Sequence, residues 1–318
     1  MAAAKRVVAS SSRNAKFYIK GLPEMAALFF SFLGNQMKRV VHIGHGKAAT
    51  TTLQRHVFPQ IAKSRQVAYL DPDDIAKLIA NPADLPARNE CYLASSEVLV
   101  GPPAHWQKNL EINRRVFGPD TTILLILRRP SGYLRSVFQQ ISHHSGLLLT
   151  PTEYFNCVSN CISSLFDPKL FDQRHLVKLY TGRFKEVIVQ KFETVADLEF
   201  VRVAYDLSDP EIKAAQKNMA LETSNLSFSQ TAVDLSMRLK WAFGTPEFNL
   251  ETGTIKRTLR YKFWRAAMQG VFDKLYPYKK YRLDWETVQS VDIGQLDAAY
   301  AEIPNFQYYQ NGVLQPAG

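Results

Sequence analysis

The sequence predicts an α/β fold, a parallel β-sheet covered by helices on both faces. Three observations predict it. Short apolar runs rich in β-branched residues recur between residues 39 and 191, and each is followed by a stretch with helical spacing. A parallel neighbour needs a crossover connection, and helical crossovers cover the sheet, so this alternation is what a buried parallel sheet requires. Apolar residues make up 46% of 318, enough for a sizeable core.

The elements follow in order. RVVHI (39–43) is the first strand, and a helical pattern runs from about Thr50 to Lys63. VAYL (67–70) is the second, before a helix at 73–80 that Asp71 or Asp73 is placed to cap. CYLA (91–94) precedes a helix through about 105–116. TTILLIL (121–127) is the clearest strand, and Pro130 suits the first turn of a helix reaching about Ile141. Residues 151–184 read as helical, and VIVQK (187–191) is a fifth strand. After about residue 205 the pattern is helices and loops with no clear strand. Residues 37–318 are therefore expected to form a single domain, an α/β core at about 38–205 and a mostly helical C-terminal portion at about 206–318.

Residues 1–36 are expected to be a peripheral N-terminal extension, open to disorder. Their first acidic residue is Glu24, preceded by Lys5, Arg6, Arg13, Lys16 and Lys20 among several serines, as in a transit-like peptide. Met37 then opens MKRVVHIGHGK, an ordinary beginning for an α/β protein.

The formal charge is +10, which suits an anionic ligand, a nucleic acid or an anionic membrane surface without choosing among them. The three cysteines, Cys91, Cys157 and Cys161, do not make a disulfide framework. Cys157 and Cys161 share an apolar stretch as core residues, and no zinc spacing surrounds them, so no metal is expected. This usage fits a reducing compartment and a cytoplasmic protein. The most apolar early stretch, MAALFFSFLG (25–34), is too short to span a bilayer.

Two segments carry chemistry. VVHIGHGKAATTTLQ (40–54) runs from strand through a glycine-containing turn and Lys47 into a helix opened by Thr50, Thr51 and Thr52. Backbone N–H groups at a helix start favour an anion, Lys47 adds a charge and the threonines add donors. A Walker A loop is excluded on two counts: Val41 stands at its first glycine, and Ala48 follows Lys47 where a magnesium-ligating hydroxyl belongs. In the second segment, ILLILRRPSGYLRSVFQQ (123–140), Arg128 leaves the strand, Pro130 starts a helix and Ser136 lies eight residues after Arg128. Both residues fall near the carboxyl end of the sheet, where open α/β folds bind ligands, and an arginine fork with a hydroxyl can hold one phosphate.

Together the two segments resemble the binding motifs of sulfotransferases that use 3′-phosphoadenosine-5′-phosphosulfate (PAPS). The first resembles the loop for the 5′-phosphosulfate, the second the arginine-x-proline and serine motif for the 3′-phosphate; the resemblance covers roughly residues 38–205. It implies a P-loop-like sulfotransferase fold. It implies PAPS as co-substrate, 3′,5′-ADP as product and no metal. It implies that Gly46, Lys47, Ala48, Ala49, Thr50, Thr51 and Thr52 bind the 5′-phosphosulfate, and Arg128 and Ser136 the 3′-phosphate. The sequence departs from the family at Ala49, where glycine is usual, and at Tyr133, where arginine is common. Alanine is strained at position 49 if φ is positive and fits well if the residue is helical. VIVQKFETV (187–195) and NLSFSQTAVDLSMRL (225–239) are weaker echoes of the same family.

Sulfuryl transfer needs in-line positioning, charge stabilisation and a base for the acceptor hydroxyl. Glu97, after the third strand in CYLASSEVLV, is the expected base, because glycan-directed members carry a glutamate in a similar Ser-Ser-Glu setting. His105 is the runner-up. Lys47 is expected to stabilise charge on the leaving phosphate oxygen, a catalytic role beyond binding. His42 falls in the first strand, His45 is placed to touch the phosphosulfate, and His143 and His144 form a loop pair near the acceptor.

The acceptor class implied by Ser-Ser-Glu is a carbohydrate or glycolipid hydroxyl. The basic, aromatic stretch 255–280 would suit an anionic acceptor, a peripheral membrane contact or simply a solvated amphipathic helix. Two alternatives remain at this stage. One is a P-loop-type nucleotide-dependent kinase. The other is a catalytically inactive or basic nucleotide- or nucleic-acid-binding module, although no nucleic-acid motif appears and none is expected as partner.

Overall fold

The structure, a computed structural model, describes residues 38–45, 49–81, 91–140, 146, 148–160, 171–220, 229–243, 247–249, 254–256, 258–268, 281–284 and 292–316, with side chains left aside at 156–160, 247–249 and 254–256. Residues 1–36, Gly46, Lys47, Ala48, His143 and His144 lie outside the described residues. Lys38–Gly318 group as one compact unit.

A seven-stranded sheet carries the fold. Its strands are β1 (Arg39–Gly44), β2 (Ala68–Leu70), β3 (Tyr92–Ser96), β4 (Thr122–Leu127), β5 (Glu186–Lys191), β8 (Phe306–Gln310) and β9 (Val313–Gln315), in the order β2-β3-β1-β4-β5-β8-β9. The first five are parallel, with Val41 opposite Ala94 on one side and Ile123 on the other. β8 pairs antiparallel with β5, and β9 with β8. A separate hairpin joins β6 (Glu247–Asn249) and β7 (Thr254–Lys256).

Successive side chains of a strand point to opposite faces, so each central strand feeds two cores. Val41, Ile43, Ile123, Leu125, Leu127, Val187 and Val189 fill one. Val40, Leu124, Ile126 and Ile188 fill the other. Burial on both faces explains why these strands are continuous apolar runs rather than alternating ones.

The first core is roofed by α3 (Pro72–Ala80), α4 (Trp106–Phe117), α5 (Pro130–Gln139) and α7 (Gln173–Thr181), through residues such as Ile75, Leu110, Phe138 and Leu176. The second is covered by α1 (Thr50–Thr52), a π-helical turn (Leu53–Val57), α2 (Phe58–Ser64), α8 (Glu199–Tyr205) and α9 (Asp209–Ala220). α6 (Pro151–Asn160), α10 (Gln230–Arg238), α11 (Leu259–Ala267) and α12 (Ile293–Ala301) complete the helices named here. Asp71 caps α3, accepting from the N–H of Asp73 and of Asp74 at 2.9 and 3.0 Å.

One expectation is overturned. The portion after residue 205 is not strand-free: it supplies β8 and β9 to the main sheet and the β6–β7 hairpin besides. FQYYQ has glutamine at its second and fifth positions and is half-buried throughout, so it lacks the continuous apolar run that marks β4. The sheet is therefore parallel over five strands and antiparallel at one edge.

Candidate functional site

The strand order puts a topological switch point at the centre of the sheet. The chain leaving β1 goes to helices that lead to β2, on the β3 side; the chain leaving β4 leads to β5, on the other side. Connections diverging from adjacent strands leave a gap between their carboxyl ends, where α/β folds bind ligands. Both sequence motifs end there, one after β1 and one after β4, and the strands pair directly, Gly44 against Ile126.

After β1, the cradle helix begins at an alanine in the left-handed conformation. Ala49 has φ 58° and ψ 11°. The glycine expected here by resemblance would take this geometry freely; alanine holds it at a cost of about 1 kcal/mol. Of the two readings of Ala49, the strained one holds. Ala49 still starts the helix, its carbonyl accepting from the Leu53 N–H at 3.0 Å. The Thr50 side chain is buried and its hydroxyl donates back to the His45 carbonyl at 3.5 Å, closing the turn, whereas Thr51 and Thr52 are half-buried. Gln54 ties this helix to β3, donating to the Ser95 carbonyl at 3.0 Å.

After β4, Arg128 and Ser136 each meet Gly132, through different atoms. The Arg128 guanidinium lies over the Phe192 ring, 4.8 Å from its centroid. A Cβ added at Gly132 would sit 3.7 Å from Arg128 Nε, and the Ser136 hydroxyl donates to the Gly132 carbonyl at 3.0 Å. Burial pushes the Arg128 pKa down to about 10; the Arg135 charge adds to this and Glu193 opposes it. Guanidinium does not lose its proton near neutrality, so this depression measures a desolvated cation whose charge an incoming anion would relieve.

Glu97 follows β3 at the level of the cradle, since its neighbour Ser96 pairs with Ile43. It opens a 3-10 turn, Glu97–Leu99, and is exposed. The turn is held from below: Asn113 of α4 donates to the Leu99 carbonyl at 3.0 Å and to Tyr180 Oη at 2.9 Å. Burial first, then the Glu97 charge, raises the Tyr133 hydroxyl pKa, while Arg128 acts on it in the opposite sense. Tyr133 thus lies in the fields of both Glu97 and Arg128. His105 is half-buried at the end of another 3-10 turn, Pro103–His105, immediately before α4. Its neighbour Trp106 packs against His45.

The sequence missed an aromatic box at the end of β1. His45 is 1% exposed and packs against Tyr133 at 5.0 Å, Phe171 at 5.2 Å and Trp106 at 6.0 Å between ring centroids. Among the described residues, neither imidazole nitrogen has a hydrogen-bond partner, nor does Trp106 Nε1. Burial, with the Arg128 charge added, pushes the His45 pKa down to about 3, so the ring is neutral. His42 sits in β1 as expected, its Nδ1 2.8 Å from Ser95 Oγ, and burial lowers it to about 3 as well. The motif spacing marked His45 as a contact residue, but nothing local announced its aromatic partners.

A second missed group comes from the far end of the chain. Asp297 on α12 caps α5, accepting from the Ser131 N–H at 3.0 Å and from the Ser131 hydroxyl at 2.6 Å. Among the described residues, no cluster of three or more His, Cys, Asp or Glu could hold a metal ion, and no helix is long and apolar enough to cross a membrane.

No protein-family model matches the chain, and no curated protein matches it. Among solved structures, the chain is aligned with the genome packaging NTPase B204 from Sulfolobus turreted icosahedral virus 2 in complex with AMP, at 11% identity and a TM-score of 0.16, covering 70% of this chain and 98% of that one. The same NTPase in complex with AMPPCP aligns at 11% identity and a TM-score of 0.16, covering 70% of this chain and 96% of that one. Similarity this slight carries no argument about fold or function.

Proposed function

We propose that this chain is a PAPS-dependent sulfotransferase of P-loop-like fold, acting on an acceptor hydroxyl of the carbohydrate or glycolipid class. The observation that carries the reading is the placing of two anion-directed groups at the carboxyl ends of adjacent strands: the turn at Ala49 after β1, and the desolvated Arg128 beside Gly132 after β4. The five parallel strands in the order β2-β3-β1-β4-β5 put these groups on adjacent strands.

In this reading Arg128 and Ser136 hold the 3′-phosphate, and the first turn after Ala49, with Thr51 and Thr52, receives the 5′-phosphosulfate. The acceptor oxygen forms its bond to sulfur as the bond from sulfur to the 5′-phosphate oxygen breaks. The departing electron pair stays on 3′,5′-ADP, and the acceptor proton passes to the Glu97 carboxylate. Lys47 belongs to the same loop by sequence; an ammonium beside the leaving oxygen stabilises the transition state more than the ground state. Charge stabilisation of this kind is worth most where water is excluded, and the Phe192 ring lies against the Arg128 guanidinium.

The testing experiment is thermal unfolding with 3′,5′-ADP or 5′-AMP, on wild type and Arg128→Ala. Ligand that binds only the native state raises the midpoint. A rise with 3′,5′-ADP, small with 5′-AMP and absent in the variant, is expected. No rise in a folded wild-type sample, or a rise with magnesium and ATP alone, would overturn the proposal.

A further inference from the structure

Helix α11 presents two apolar faces, and among the described residues only one is packed. Its inner face is anchored: Tyr261 and Met268 are buried, and Trp264 Nε1 donates to Ser236 Oγ on α10 at 2.8 Å. The segment before α6 closes over the same face. Gly146, at φ +84°, passes so near Tyr261 that a Cβ would meet its ring at 2.6 Å.

The outer face is also apolar. Leu259 and Phe263 are 71% and 76% exposed. With exposed Ala266 they form an i, i+4, i+7 stripe facing solvent. At about 100° per residue, Lys262 falls on one side of that stripe and Arg260 on the other. Beside it stands Trp241, 80% exposed on the 3-10 turn Lys240–Ala242. That turn abuts the start of α11, because Thr258 Oγ1 donates to the Phe243 carbonyl at 2.6 Å.

The charge on these two segments has one sign. Residues 238–243 and 258–268 carry Arg238, Lys240, Arg260, Lys262 and Arg265 and no Asp or Glu. Hydrogen bonds from Thr150 lower the Glu153 carboxyl pKa, and the Lys240 charge adds to this.

We propose that this face, Trp241, Leu259 and Phe263 framed by Arg238, Lys240, Arg260 and Lys262, docks the protein on an anionic lipid surface. An interfacial helix lies in the membrane plane with its apolar stripe sunk to the headgroup boundary and cations at its flanks, and tryptophan favours that depth. Anionic headgroups supply the complementary charge. The aliphatic part of the stripe, Leu259 with Ala266, favours acyl chains over nucleic-acid bases, which would stack on aromatic rings alone.

The test is flotation of the full chain with phosphatidylcholine vesicles, with and without phosphatidylglycerol. Wild type is expected to float only with the anionic vesicles. Arg260→Ala/Lys262→Ala should weaken partitioning about 30-fold, the loss that two basic residues near such a surface represent. Trp241→Ala/Phe263→Ala should abolish flotation while the melting midpoint stays put, because neither side chain packs in a core. As a milder probe, a blue shift of tryptophan emission on anionic vesicles should vanish in Trp241→Phe. The proposal is overturned if folded wild type ignores anionic vesicles, floats equally with neutral ones, or floats unchanged in both double variants. Binding to single-stranded RNA in place of vesicles would overturn it too.

Discussion

Ala49 has its conformation imposed by its position between a strand end and a helix start, against its own preference. A residue with φ 58° and a Cβ carries strain that glycine would not. Ala49→Gly removes that strain and adds unfolded-state entropy, and the first effect is the larger. The variant should be more stable by about 0.5–1 kcal/mol, read as a rise in the urea midpoint with unchanged slope. A loss of stability would mean that the turn does not depend on backbone freedom.

His45 leads to a pH dependence. Its folded pKa, about 3, lies below the ordinary histidine value, so the unfolded chain takes up a proton that the folded one refuses. Stability from this group is intact above about pH 6.5, falls as the pH drops below that value and stops falling near the folded pKa. His42 acts in the same direction. His45→Phe, which suits the aromatic box, should remove up to about 1.4 kcal/mol of this loss per pH unit below 6.5. Urea titrations at pH 7 and pH 5 measure it; an identical pH dependence in the variant would show that His45 is not held neutral.

At the scale of elements, the cap on α5 is the contact with the clearest consequence. Asp297 satisfies the Ser131 N–H and hydroxyl at the start of the helix that carries Ser136. Asp297→Ala should cost about 1–2 kcal/mol in chemical denaturation, as loss of a good cap does. It should also weaken 3′,5′-ADP binding, since α5 carries Ser136 and begins two residues after Arg128.

The same helix shows where the sequence was legible. Pro130 announced its start and the strand before it was unmistakable, because both are local signals. Its capping group lies 166 residues away, and no local pattern encodes such a partner. Arg128 and Ser136 were legible as a spaced pair, whereas the His45 box joins residues from β1, α4, α5 and the approach to α7, which only the fold assembles. β8 and β9 were illegible for a related reason. An edge strand half-covered by neighbours needs no continuous apolar run, and FQYYQ has none.

For the whole molecule, the two cores rank the parts by stability. β1 and β4 are buried on both faces and flanked by strands on both sides, while β9 is largely exposed at the sheet edge. Amide hydrogen exchange should therefore be slowest at Ile123–Ile126 and fastest, among the strands of this sheet, at Val313–Gln315. Protection of β9 equal to that of β4 would mean that the sheet opens only as one unit.

The pairing of β8 with β5 joins Glu186 to Gln310 across most of the C-terminal half. During synthesis this sets an order of events. A nascent chain emerging through β5 has the five parallel strands, yet the outer edge of β5 offers unpaired N–H and C=O groups until residues 306–310 leave the ribosome. For that interval the young protein is a sheet with an open flank, the kind of edge that templates pairing with another chain. The polar, tyrosine-rich β8 is the piece that ends the exposure, so a premature stop before residue 306 should yield insoluble protein even though every residue of the candidate site has been made.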